Sequence, residues 1–154
     1  MVRLLNLPDV EQRHLLAKPC VRLPGEPFVD GPPPRQRRVA IVTTAGIHRR
    51  DQAAFGIGDT GYRVIPGDVS AGDLVMSHTS VNFDRTGFQQ DTNVVFPIDR
   101  LRALAEAGEI GSLARYHYAL MGALWEPAEI ETTARAVAGF LKQDQVDAAL
   151  LVPV

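Results

Sequence analysis

The run Val146–Val154, VDAALLVPV, constrains this chain most. It is aliphatic almost throughout, carries no charge after Asp147, and directly follows a helix-patterned segment. A short apolar run in that position reads as a buried strand of a parallel sheet, whose two faces are both covered. In open α/β sheets the ligand sits just past the carboxyl ends of the strands, and the loops there carry the chemistry. The chain stops at that point of its last strand. The domain is therefore expected to be incomplete at the C-terminus, with an apolar face exposed where a further helix would pack.

The remaining pattern fits the same class. Val10–Ala17 predicts a short helix, and the Pro/Gly-rich stretch 24–36 predicts an extended arm, since proline fixes φ and removes a donor. Arg37–Thr44, RRVAIVTT, is a β-branched strand that ends at Ala45-Gly46. A polar loop is expected from His48 to Asp73, with Tyr62–Ile65 extended within it, and Asp73–Ser77 is a second strand. Residues 78–93 read as a long loop without periodicity, of the kind that usually carries function. Asp99 precedes the apolar series Leu101, Leu104, Ala105, with Gly108 as a stop, which predicts a helix. Tyr116–Leu120 is a strand. Glu126-Pro127 opens a second helix whose apolar face is Ile130, Ala134, Val137, Ala138 and Leu141. The fold class that follows is α/β: a Rossmann-like three-layer domain with a mostly parallel sheet over residues 37–154, preceded by an N-terminal arm and linker over 1–36.

Composition narrows function by exclusion. A net charge of −2 and a pI near 6.1, with no basic stripe, argue against nucleic acid as a partner. No apolar run approaches the roughly 20 residues of a membrane span, and the N-terminus makes a poor signal peptide. The single cysteine, Cys20, excludes an internal disulfide framework and fits a reducing cytoplasm. Cys20 lies far from any strand end and reads as structural.

Three constellations can carry chemistry. In the first, Thr43, Thr44 and Gly46 at a strand's carboxyl end leave room for a ligand and offer donors, and His48 follows as an acid, base or anion-binding group. The plainer alternative is an ordinary strand-ending turn. In the second, the loop bearing His78, Asn82, Asp84, Arg85, Asp91 and Asn93 suits a carboxylate- or amine-binding pocket. Its carboxylates would hold an ammonium group and Arg85 a carboxylate; a solvated surface loop is the alternative. In the third, His117 lies near Met121 and Gly122 and could face the same crevice, or sit half-buried with its hydrogen bonds satisfied. Three histidines raise the idea of a metal-assisted hydrolase or lyase, yet no HxH, HxxxH or HExxH spacing occurs, so no metal is assigned. No P-loop, dinucleotide fingerprint or nucleophile elbow is present.

Taken in register, Val42–His48, Asn82–Arg85, Gln90–Leu101, Gly108–Gly111, His117–Gly122 and Asp147–Val154 resemble the selenoprotein B family of the glycine/sarcosine/betaine/D-proline reductases. The resemblance covers residues 37–154. It implies a cytoplasmic oxidoreductase subunit for reductive cleavage of a C–N bond α to a carboxylate in a small amino-acid-like substrate. In that family the final strand runs into a selenocysteine or cysteine, so that residue is expected just after Val154, and no cofactor is bound within the chain itself. A pyruvoyl group on a larger partner subunit is implied for some substrates; separately from the resemblance, the apolar face expected to stay exposed favours a homo-oligomer. The resemblance casts His48, His78 and His117 as catalytic. Thr43, Thr44, Gly46, Asp84, Arg85, Asp91, Asn93, Met121 and Gly122 become substrate-binding, with bracing of the loop as the alternative role of Asp84, Asp91 and Asn93. The chain alone is then expected to be inactive in reduction. A non-redox ligand-binding or regulatory homologue using the same crevice is the competing reading.

Overall fold

The computed structural model describes residues 3–17, 25–26, 28–80, 85–123 and 126–154. In chain order its elements are α1 (Asp9–Ala17), β1 (Arg38–Thr43), β2 (Ile47–Arg49), β3 (Tyr62–Pro66), β4 (Leu74–Met76), α2 (Thr86–Gln90), α3 (Ile98–Glu106), β5 (Ser112–Leu113), β6 (Tyr116–Leu120), α4 (Pro127–Gln143) and β7 (Ala148–Val152). The β-branched β1 is the hub. It pairs in parallel with β7 along five residues, Val39↔Ala148 to Thr43↔Val152. On its other edge it pairs in parallel with β5 at its amino end and with β6 at its carboxyl end. Antiparallel β3 closes the far side of β6. The sheet is thus mostly parallel, with one antiparallel strand, as the α/β reading requires.

Strand alternation sorts the core into two layers. Val39, Ile41, Thr43 and Ala119 face α3 and the segment that leads into it. There Phe96, Ile98, Leu101, Ile65 and Leu74 complete one apolar cluster. The opposite face carries Tyr118, on which Phe140 of α4 stacks with ring centroids 6.3 Å apart while Tyr62 meets both rings. Helix α4 starts where Glu126 and Glu129 form a capping box with Pro127 at the first turn, and it buries Val137. Helix α3 begins where the Asn93 side chain accepts the Asp99 N–H and stops before Gly108, whose φ is +69°. Helix α1 buries no residue.

Four features differ from expectation. Strand β7 is not buried: Leu150 is 39% and Leu151 69% exposed. Among the described residues it pairs only with β1, and α4 covers β6 and β3 instead, so β7 is an edge strand. Ile47–Arg49, expected as loop, forms β2, and Asp73–Ser77 joins it rather than the main sheet, giving a separate antiparallel ribbon of β2 and β4. Residues 86–94 are not structureless. They hold α2 and a 3-10 turn at Thr92–Val94, capped by the Asp91 carboxylate accepting the Asn93 N–H.

At the amino ends of the parallel strands the buried Asp144 carboxylate accepts the Arg115 N–H at 2.6 Å and the Arg38 guanidinium at 3.2 Å. Asp144→Ala leaves those donors unmatched. It is expected to lower stability by about 2 kcal/mol, measured by urea denaturation.

Candidate functional site

The carboxyl ends of β1, β6 and β7 meet at Thr44. Its N–H donates to the Val152 carbonyl at 3.0 Å, and its carbonyl accepts the Gly122 N–H at 2.8 Å. Its hydroxyl accepts the Val154 N–H at 2.9 Å and reaches the Val154 carbonyl at 3.4 Å. Gly122 is obligatory here for a steric reason. A Cβ on it would lie 2.7 Å from the Val154 oxygen and 2.8 Å from that of Thr44. Ala45 bridges to Met121 immediately beside them.

The segment after β4 forms the next wall. Gly46 adopts φ +63°, and a Cβ there would meet the His78 Cα at 3.0 Å, so glycine serves both the left-handed turn and the close backbone approach. Thr79 donates its N–H and hydroxyl toward the Met121 sulfur at 3.5 and 3.7 Å. His78 Nδ1 accepts the Ser80 N–H at 3.1 Å, which places the ring proton on Nε2. The Arg85 guanidinium donates to the carbonyls of His78 and Ser80 at 2.6 and 2.8 Å. Burial first, and then the Arg85 charge, lower the His78 pKa, so the ring is neutral at pH 7. The structure therefore brings together Thr44, Gly46, His78, Arg85, Met121 and Gly122. Thr79 and Ser80 belong with them. The signal that could have found these two is hydroxyl residues directly beyond a strand's carboxyl end, the feature that singled out Thr43 and Thr44.

The other expected residues lie elsewhere. Thr43 is fully buried, donates to the Val95 carbonyl at 2.8 Å and accepts the Ala45 N–H, so its hydroxyl braces the β1 turn. His117 is fully buried in the α3-side layer, beside Phe96. Its Nδ1 accepts the Ile41 N–H at 2.9 Å. Burial, reinforced by Arg102 and opposed by Asp144, pushes its pKa down to about 4. His48 is also buried. Its Nδ1 donates to the Arg49 carbonyl at 2.8 Å and its ring faces Phe55. The three histidines thus do not share one crevice, and among the described residues no three metal-ligating side chains gather. Asp91 and Asn93 brace the entry to α3. The Asn93 side chain and N–H both donate to the Asp91 carboxylate, which holds its pKa below the ordinary value. Asp84, Asn82 and Cys20 lie outside the described residues. An open cavity of about 460 Å³, lined by Arg49, Arg50, Asp51, Asp68 and Asp73, lies by the β2–β4 ribbon, toward the amino ends of the parallel strands. No helix of the described residues is long and apolar enough to cross a membrane.

In this mostly parallel α/β sheet, glycines, hydroxyls and a neutral histidine converge past the strand ends, where open sheets of this class hold their ligands. Residues 35–154 match the model of the glycine/sarcosine/betaine reductase selenoprotein B family, and the chain belongs to that family. It is 40% identical over 115 residues to the D-proline reductase subunit gamma of Acetoanaerobium sticklandii, covering 73% of this chain and 47% of the relative. It is 32% identical over 123 residues to the betaine reductase complex component B subunit beta of Peptoclostridium acidaminophilum, covering 73% and 27%. It is 30% identical over 152 residues to the glycine reductase complex component B subunit gamma of Symbiobacterium thermophilum, covering 84% and 35%. The chain thus spans about half the length of the first of these relatives and about a third or less of the others. No solved structure matches it significantly.

Proposed function

We propose that this chain is part of a subunit of an amino-acid reductase complex and forms the substrate crevice for reductive cleavage of a C–N bond α to a carboxylate. The observation that carries the reading is the meeting of β1, β6 and β7 at Thr44, in a chain 40% identical to a D-proline reductase subunit. The substrate is a small amino-acid-like molecule such as proline, glycine or betaine. His78, buried at the turn after β4, positions Thr79 and Ser80 toward the substrate's carboxylate. Thr79 and Thr44 line the floor beside it, and Arg85 fixes the His78–Ser80 turn while supplying positive potential.

The redox group of this reading is a selenocysteine or cysteine directly following Val154, which supplies the reducing nucleophile. The residues present fit it. The Thr44 hydroxyl accepts the Val154 N–H and donates toward the Val154 carbonyl, and Gly122 has no side chain to displace that carbonyl. Asp91 and Asn93 act as braces and His117 as a core residue. A pyruvoyl group, where the substrate requires one, belongs to a partner subunit. The coding sequence beyond Val154 tests this. A UGA or cysteine codon in frame is expected, and any other codon or stop contradicts it.

A further inference from the structure

We infer that Ser77 is a positioning residue for the site proposed at the strand ends. Its hydroxyl ties the loop of residues 50–61 and the turn between β1 and β2 to the segment that carries Thr79 and Ser80. The inference deepens the proposed function and rests on it for its binding readout. Ser77 directly follows β4, and its polar groups all reach into other segments. Its N–H donates to the Gly46 carbonyl at 3.0 Å. Its hydroxyl reaches the same carbonyl at 3.4 Å and accepts the Phe55 N–H at 2.8 Å. A hydroxyl both gives a proton and accepts one, so a single side chain holds both segments.

Both anchors are firm. Phe55 is buried, with the Arg63 guanidinium 4.1 Å from the centre of its ring and the His48 ring set edgewise against it. Arg63, in β3, also donates to the carbonyls of Ala53 and Ala54 and pairs with Asp59, which fastens the loop to the sheet. Gly46 donates its N–H to the Leu120 carbonyl at 2.9 Å, at the end of β6. Thr79, two residues beyond Ser77, has no comparable hold of its own. Among the described residues its N–H and hydroxyl donate only toward the Met121 sulfur, a weak acceptor. The place of Thr79 is therefore set from Ser77, with Arg85 fixing the carbonyls of His78 and Ser80 from the other side.

Ser77→Ala keeps the backbone contact to Gly46 and removes only the hydroxyl; Ser77→Thr returns it. Affinities for D-proline, glycine and betaine are measured by calorimetry on the wild type and both variants. For whichever of the three the wild type binds, Ser77→Ala should weaken binding at least roughly fivefold, the worth of one lost hydrogen bond, and Ser77→Thr should restore it. Asp144→Ala, at the opposite ends of the strands, controls for destabilisation alone and should bind as the wild type does. Equal affinity in Ser77→Ala, no rescue by threonine, or an equal loss in Asp144→Ala would overturn the inference. Amide exchange without ligand tests it separately. Ser77→Ala should quicken exchange at Gly46, Phe55 and Thr79 but not in α4, and Ser77→Thr should reverse the change. A wild type that binds none of the three sinks the proposed function, and the exchange pattern then decides for Ser77 by itself. Thr79 exchange that is unchanged, or that quickens only in step with α4, would overturn the inference.

Discussion

Replacing Gly122 with alanine is expected to unseat the end of β7. The new Cβ would stand 2.7 Å from the Val154 oxygen and 2.8 Å from the Thr44 oxygen, both of them backbone atoms with no rotamer to yield. Relief requires that β6 move away from β1 or that Val154 leave the Thr44 hydroxyl, and either motion opens the junction of the three strands. Overpacking of this kind costs about 1–3 kcal/mol, with the upper end expected here because the obstruction is on two sides. Urea denaturation should show the loss, and amide exchange should quicken at Val154 and Thr44 before it does in α4. Gly139→Ala is the matched control. A Cβ at Gly139 meets nothing within 4 Å, and the residue lies within α4. That variant should be stabilised by roughly 0.5–1 kcal/mol. Equal losses in both variants would mean that the strand ends do not form the tight junction described.

Acid should destabilise the chain through His117, well above the pH where carboxylates protonate. The folded pKa of His117 is depressed to about 4 from 6.5. Between these values the unfolded chain binds a proton that the folded chain refuses, so stability falls as pH drops. The contribution is complete above pH 6.5 and is lost progressively down to about pH 4. The shift corresponds to a difference of about 3 kcal/mol. His78, lowered by burial and Arg85, acts in the same direction. His117→Leu should flatten this part of the profile but weaken the protein near neutrality, because the Ile41 N–H loses its acceptor inside the sheet, at a cost of about 1–3 kcal/mol. Urea titrations from pH 4 to pH 8 on both proteins measure the effect. An unchanged slope in the variant would show that His117 is not the titrating group.

What could be read from residues alone followed the strength of local periodicity. β1, α3 and α4 stood out because β-branched alternation or a capped 3.6-residue period runs long enough to be unambiguous. The β2–β4 ribbon did not, since each strand is three residues long and Ile47 is the only β-branched residue in its strand. The run in β7 identified a strand but not its exposure, because burial depends on which neighbours α4 chooses to cover. The junction of strand ends was legible at Thr44, Gly46, Met121 and Gly122, which follow strands in the place where parallel sheets collect ligands. His117 was not. The pattern Tyr116–Leu120 offers apolar or aromatic residues on both faces, so only the register with β1 shows that the imidazole turns into the core. Asp91 and Asn93 look alike whether they hold a substrate or cap a turn. Their mutual hydrogen bonds and the Asp99 N–H decide for the cap.

The most direct measurement is a titration of the isotope-labelled chain with D-proline, glycine and betaine, followed by backbone amide shifts. The account predicts saturable shifts at Thr44, Gly46, Thr79, Ser80 and Gly122 with at least one of the three, abolished by His78→Ala. Absence of any shift, or shifts confined to Arg49, Arg50 and Asp73 around the cavity by the β2–β4 ribbon, would contradict it.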